Sequence, residues 1–254
     1  MAEPLWTGPA VALVTLFTAD GSVDAEATGA HAARMVGAGL RAVLVNGSTG
    51  EAAALEDHER VALVSAVREA CPGVPVVAGA SGEWWGQAAK RVRDAAGAGA
   101  DAVLVAPPRL GTDLGGYYEE VAAAAGDVPV LAYHYPPVAG GPVPVEALPG
   151  LPVSGTKDSS GDPVRLGRQL DLDWPGHVYV GSSALLGHAH WLGATGAIVA
   201  AANLVPSECL AAWERDPKAQ LAVLRAEREA KAAPGGLKGA VAARFGTSPC
   251  RRTS

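Results

Sequence analysis

The sequence predicts a (β/α)8 barrel: an α/β fold of eight parallel strands closed into a ring and wrapped by helices, with a short C-terminal helical extension. Three observations predict it. Eight apolar runs of 6 to 8 residues, rich in valine and alanine, recur between Gly, Pro or Asp residues. Continuous apolarity of that length suits strands buried on both faces. Helical patterns separate most of the runs, with no hairpin signal, so pairing is parallel through right-handed crossovers. Glycine-rich stretches such as AGAGA (96–100) and LGATGA (192–197) stand just before runs, where helix C-caps belong.

The runs fall at 10–17, 41–46, 74–79, 101–107, 128–133, 152–157, 177–182 and 196–201. The first helix spans 24–38, beginning at Asp24 and ending near Gly39. The second, 56–70, carries Val61, Leu63, Val64 and Val67 on one face and stops before Pro72. The third and fourth span 86–98 and 113–125. Between the fifth and sixth runs the chain is proline-rich, so any helix there is short. Residues 183–192 carry Leu185, Leu186, Trp191 and Leu192 in a helical pattern. From 206 to 245 the patterning is purely helical and predicts two or three helices packed on the barrel. The expected division is therefore a barrel over 1–205 and helices over 206–254.

Composition narrows the function classes. With 254 residues and 49% hydrophobic content, a large core is affordable. A net charge of −6 gives no general attraction to nucleic acid or anionic membrane. Cys71, Cys209 and Cys250 are sparse and odd in number, which is neither a disulfide framework nor a zinc knuckle. The N-terminal stretch lacks a basic region and reads as a first strand rather than a signal peptide. No apolar run reaches the ~18 residues of a membrane helix. These features predict a cytoplasmic protein.

A barrel places its chemistry at the C-terminal ends of its strands. Lys157 ends the sixth run and Tyr133 the fifth. Adjacent strands lie roughly 5 Å apart, so both side chains can share one pocket. The second run ends in Asn46-Gly47-Ser48-Thr49-Gly50-Glu51, whose hydroxyls and amides can hold a carboxylate. Gly181-Ser182-Ser183, ahead of a helix, offers a second anion contact. A lysine buried in an apolar barrel mouth is held neutral. Its free amine can attack a ketone and form a Schiff base, and the protonated imine then serves as an electron sink. A tyrosine linked to a hydroxyl can shuttle the proton.

These residues resemble the dihydrodipicolinate synthase / N-acetylneuraminate lyase superfamily of class I pyruvate aldolases. Gly47-Ser48-Thr49-Gly50-Glu51 is similar to that family's carboxylate-binding G-[ST]-x-G-E loop. Tyr133-His134-Tyr135-Pro136 resembles its Y-N-x-P segment, and Gly155-Thr156-Lys157-Asp158 its G-x-K-[DE] strand. Residues 193–198 with Ala202-Asn203 resemble its eighth-strand signature, in which the residue matching Ile198 lines the pyruvate pocket. The resemblance implies that Lys157 forms the imine and Tyr133 is the acid/base. It implies that Ser48 and Thr49 bind carboxylate and relay the proton, and that Gly47, Gly181 and Ile198 shape the pocket. No cofactor or metal is implied, and the partners are pyruvate, an aldehyde or aldol, and further copies of the chain in a dimer or tetramer.

Within the superfamily, Lys157-Asp158-Ser159-Ser160-Gly161-Asp162 and the tail residues Gly236-Leu237-Lys238, Phe245-Gly246 and Pro249-Cys250-Arg251 look most like 4-hydroxy-2-oxoglutarate aldolases. Dihydrodipicolinate synthases carry an arginine where this chain has Val138, and a hydrophobic side chain cannot replace a bidentate guanidinium. The family's T-P-Y-Y segment, whose second tyrosine completes the proton relay across a subunit interface, is here Ala106-Pro107-Pro108-Arg109. Arg109 is therefore the candidate for a carboxylate contact from the fourth strand. The competing expectations are a synthase or sugar-acid dehydratase outcome, and a barrel that binds a 2-oxo acid without turnover.

Several tempting residues have plainer readings. His188 and His190 on a helix do not share a face, which speaks against a metal pair. Tyr117 or Tyr118 would replace the missing relay tyrosine only if it faced a neighbouring subunit. Glu51 reads as a loop anchor, and Asp158 and Asp162 as residues that order the turn.

Overall fold

The computed structural model describes residues 3–111 and 113–253. Eight parallel strands close into a barrel in sequence order, each paired with the next and β8 with β1. They are β1 (Gly8–Ala12), β2 (Val43–Val45), β3 (Val76–Gly79), β4 (Ala102–Val105), β5 (Val130–His134), β6 (Gly155–Asp158), β7 (His177–Val180) and β8 (Gly196–Val199). The first predicted run is displaced. β1 begins at Gly8 and stops at Ala12, and 13–17 continue as buried irregular chain. Apolarity there reports burial, with pairing reduced to a single bridge between Phe17 and Val23 and the bond from Leu13 N to the Leu44 carbonyl.

Helices α1 (Ala25–Gly37), α2 (Asp57–Ala70), α3 (Trp85–Gly97) and α4 (Leu114–Ala125) follow the first four strands. Acidic side chains set the N-termini of α1, α2 and α4: Asp24 accepts from Ala27 N, Glu56 and Glu59 form a reciprocal capping box, and Asp113 accepts from Gly116 N. The β5–β6 crossover carries only a 3-10 turn, Val145–Gly150, as its prolines require. Between β6 and β7 lies a helix the sequence pattern did not reveal, α5 (Pro163–Leu170). Asp162 caps it by accepting from Val164 N and Arg165 N, and proline occupies its first turn. After β7 comes a short α6 (Leu186–Trp191), and beyond the barrel stand α7 (Pro206–Trp213), α8 (Pro217–Ala232) and α9 (Gly236–Phe245).

Two cores follow from the alternation of strand side chains. Outward-facing residues such as Val11, Val43 and Val103 pack against the helices. Inward-facing residues fill the barrel, from small alanines to the bulky Trp6, Tyr133 and Tyr179. Trp6 stacks on Tyr179 with ring centroids 4.3 Å apart, and the Tyr179 hydroxyl donates to the Trp6 carbonyl. This pair occupies the interior from the side where the chain enters β1.

The ring is fastened where β1 meets β8. Asn203, fully buried, accepts from Val14 N and donates to the Ala12 and Ala200 carbonyls. Its side-chain oxygen also lies 3.3 Å from His31 Nε2. All three cysteines are free. Among the described residues no helix is long and apolar enough to cross a membrane.

Candidate active site

Lys157 and Tyr133 are direct partners across the β5–β6 ladder. Both side chains enter the barrel, and Lys157 Nζ lies 4.7 Å from the Tyr133 ring centroid. Lys157 is 4% exposed and is bordered by tyrosine rings and small residues. Burial lowers its pKa to about 7. A neutral nucleophilic amine is therefore well populated at physiological pH.

The neighbour of the lysine along β6 does the opposite. Asp158 faces outward and accepts from Arg165 Nε and from Gln169 Nε2 on α5, and from Ser160 N. It orders the strand exit, as its position suggested, and it does not face the amine.

The Tyr133 hydroxyl meets two others. Burial raises its pKa, and hydrogen bonds with Ser159 and Ser48 partly oppose that rise. Ser159, Tyr133 and Ser48 thus form a linked set of three hydroxyls beside the amine. Ser159 was not identified from the sequence. Two residues beyond Lys157, it keeps the same side by strand alternation, although β6 formally ends at Asp158.

Ser48, Thr49 and Gly50 form a 3-10 turn after β2. The turn is bracketed by two residues in the left-handed region, Asn46 (φ 57°) and Glu51 (φ 58°). A side chain at Gly50 would stand 2.8 Å from Thr15 Oγ1 and 3.0 Å from the Leu13 carbonyl, so the turn is pressed against the exit of β1. Gly47, Ser48, Tyr133, Arg109 and Val138 line a cavity of about 480 Å³ at the barrel mouth. Thr49, half-buried in the same turn, does not line it, nor do Lys157 and Gly181, and Ile198 lies deeper in the barrel interior.

Gly181, directly after β7, is required by close approach. A Cβ there would fall 1.9 Å from Ser159 Oγ and 3.0 Å from Lys157 Cε. Gly181→Val is expected to displace both groups, lowering activity by about 100-fold or more while leaving the fold intact. Comparison of turnover and circular dichroism for the variant checks this, and near-normal turnover would show that the space is not used.

Other expectations are corrected. In the Gly181-Ser182-Ser183 stretch the Ser183 hydroxyl is committed to the Glu227 carboxylate. Tyr117 and Tyr118 are buried, and their hydroxyls donate to the Ala106 and Val105 carbonyls. Neither is placed to serve a neighbouring subunit. His134, in the place of the family's asparagine, points away from Tyr133, and its Nδ1 accepts from Val143 N at 3.0 Å. His190 stacks on Trp213 and bonds its carbonyl, while His188 leans on Trp191. Arg109 is exposed at the rim, donating to the Pro136 carbonyl at 3.0 Å.

Comparison with known proteins agrees with this geometry. Residues 6–222 match the model of the dihydrodipicolinate synthetase family. A DapA-like lyase of Halobacterium salinarum is 36% identical over 211 residues, covering 80% of this chain and 69% of the relative. The "Probable 4-hydroxy-2-oxoglutarate aldolase, mitochondrial" of Emericella nidulans is 31% identical over 84% of this chain and 74% of its own. In fold, the chain superposes on YagE of E. coli K12, a dihydrodipicolinic acid synthase family protein solved with pyruvate, with a TM-score of 0.89 at 23% identity, covering 99% and 93% of the two chains. A lysine whose pKa burial lowers to about 7, at the C-terminal end of a strand in a closed parallel barrel, is thus set in a lyase of the dihydrodipicolinate synthetase family, to which this chain belongs.

Proposed function

We propose that the protein is a Schiff-base-forming carbon–carbon lyase that splits a 4-hydroxy-2-oxo acid, with 4-hydroxy-2-oxoglutarate or a close analogue as substrate. The observation that carries the proposal is the buried Lys157 amine beside the Tyr133–Ser48–Ser159 hydroxyls. The similarity to the Emericella aldolase supports the choice of substrate.

The neutral amine attacks the C2 carbonyl, and loss of water gives the imine, protonated on nitrogen. Tyr133, through Ser48, takes the proton of the C4 hydroxyl. The C3–C4 bond breaks, its electron pair moves to the iminium, and the aldehyde departs. The resulting enamine takes a proton at C3, and water releases pyruvate and restores the amine. The iminium supplies the electron sink throughout.

The deciding experiment is borohydride reduction in the presence of pyruvate, followed by intact mass and peptide mapping. The expected product is one reduced pyruvyl group on Lys157. A label on another residue, or none, defeats the assignment. A panel of hydroxylated 2-oxo acids then separates cleavage from water loss. An adduct with no product from any of them would indicate a binding barrel without turnover.

The synthase reading is disfavoured by Val138, half-exposed on the cavity wall where a guanidinium would be needed. For Arg109 the expected role is the distal carboxylate. Arg109→Ala should lower kcat/KM about tenfold or more on a dicarboxylic aldol and leave a neutral aldol nearly unchanged. Equal losses on both would remove Arg109 from substrate recognition.

A further inference from the structure

The Ser48–Gly50 turn is held from an unexpected direction. Glu51, immediately after it, is a half-buried carboxylate with four donors. Lys238 Nζ from α9 binds Oε1. Arg252 N at 2.9 Å, Thr253 N at 2.7 Å and Thr253 Oγ1 at 2.8 Å all bind Oε2. Glu51 is not glycine, yet it holds a φ of 58°, a conformation that persists only where the surroundings enforce it.

The segment that supplies these donors is itself fastened to the loops around the turn. Arg252 spreads its guanidinium over three of them. Nη1 and Nη2 grip the Glu59 carboxylate, both at 2.6 Å, at the start of α2. Nη1 also donates to the Ala54 carbonyl at 2.9 Å, just past the turn, and Nε to the Gly21 carbonyl at 2.7 Å in the β1–α1 loop. The Phe17 ring lies between two cations, with Lys238 Nζ 4.1 Å and the Arg252 guanidinium carbon 4.8 Å from its centroid. Thr253 reaches the same cavity that Ser48 and Tyr133 line.

We infer that residues 250–253 and Lys238 form a strap that holds the Ser48–Gly50 turn in its carboxylate-binding shape, making Glu51, Lys238 and Arg252 positioning residues for the 2-oxo acid. The inference rests on the Schiff-base reading above. A packing role alone would not concentrate four donors on the one carboxylate that follows the binding turn. Nor would it add a bidentate arginine reaching both flanks of that turn. With the strap released, the turn loses the contacts that enforce its left-handed exit. Ser48 and the turn amides then meet the substrate carboxylate in a mixture of geometries. Lys157 on β6 keeps its place, and Tyr133 on β5 keeps its bond with Ser159 while its bond with Ser48 loosens with the turn.

Adduct yield at saturating pyruvate then reports the Lys157 amine and half-saturation reports the turn, and the test uses that difference. Arg252→Ala is compared with wild type in two measurements. The first is the pyruvate concentration giving half-maximal borohydride trapping, together with the maximal adduct yield. The second is amide hydrogen exchange in peptides covering 46–55, with α5 as internal control. The expected result is a rise in half-saturation of about tenfold, an unchanged maximal yield, and faster exchange in 46–55 only. Half-saturation within twofold of wild type, or a lowered maximal yield at unchanged half-saturation, would overturn the strap. Thr253→Val, which removes one donor and little else, is expected to shift half-saturation in the same direction by less, and it serves should Arg252→Ala not fold. A wild-type protein that traps no pyruvate would instead overturn the reading of Lys157. In that case the exchange measurement alone decides the strap, and wild-type exchange rates in 46–55 would overturn it.

Discussion

Lys157→Met is expected to remove pyruvate trapping entirely and to lower lyase activity to background, a loss of about 10⁴-fold or more for a covalent nucleophile. Methionine fills nearly the same volume, so the barrel interior should close around it without a cavity. The same substitution should stabilise the protein. The folded-state pKa of Lys157 is lowered from 10.5 to about 7, so between those values the folded chain binds fewer protons than the unfolded chain. Stability contributed by this group therefore rises as pH rises from about 7 to about 10. At pH 7 its burial costs on the order of 4 kcal/mol relative to a group with no such shift. The variant should melt at a higher temperature at neutral pH and lose that part of the pH slope. In the wild type, trapping rates should fall about tenfold per pH unit below 7 and level off above it, following the free amine. Persistent labelling of the methionine variant would place the imine elsewhere.

Tyr133→Phe is expected to lower kcat by about 10² to 10⁴, the range for loss of a positioned acid/base. The ring remains, so the apolar wall over Lys157 and the lowered amine pKa are retained. Borohydride trapping at long incubation should therefore still reach wild-type yield, although more slowly, since in the proposed mechanism carbinolamine dehydration would lose its acid. This pairing of retained adduct and lost turnover distinguishes a proton carrier from a residue that merely shapes the pocket. Turnover within tenfold of wild type would mean that another group moves the proton. Ser159 and Ser48 are the residues in hydrogen-bond contact with it.

What could be read from the sequence, and what could not, follows from the range of the interactions involved. Lys157 and Tyr133 were legible because strand ends define the barrel mouth, and adjacent parallel strands bring their ends together. The helices α1 to α4 were legible from apolar spacing, from Asp24 at the start of the first, and from the glycine-rich ends that precede the next strands. By contrast, α5 is short, contains Gly167, and begins at a proline inside a turn-like string. Asp162 was read as ordering a turn when it caps a helix, and local chemistry does not distinguish the two. Ser159 was hidden because its stretch reads as a polar turn, whereas the structure carries the strand's alternation one residue further. The strap was beyond reach in principle. Arg252 and Glu51 are 201 residues apart, and only the completed fold brings them together.

The closed ring described above limits how the molecule can associate with others. With β8 paired to β1 over four residues, every strand has a neighbour on each side. Among the described residues the barrel leaves no open ladder for a second chain to extend, which removes the route by which exposed sheets recruit added strands. Any assembly these protomers form must be built from helix faces and loop surfaces, where side chains rather than main-chain groups select the partner.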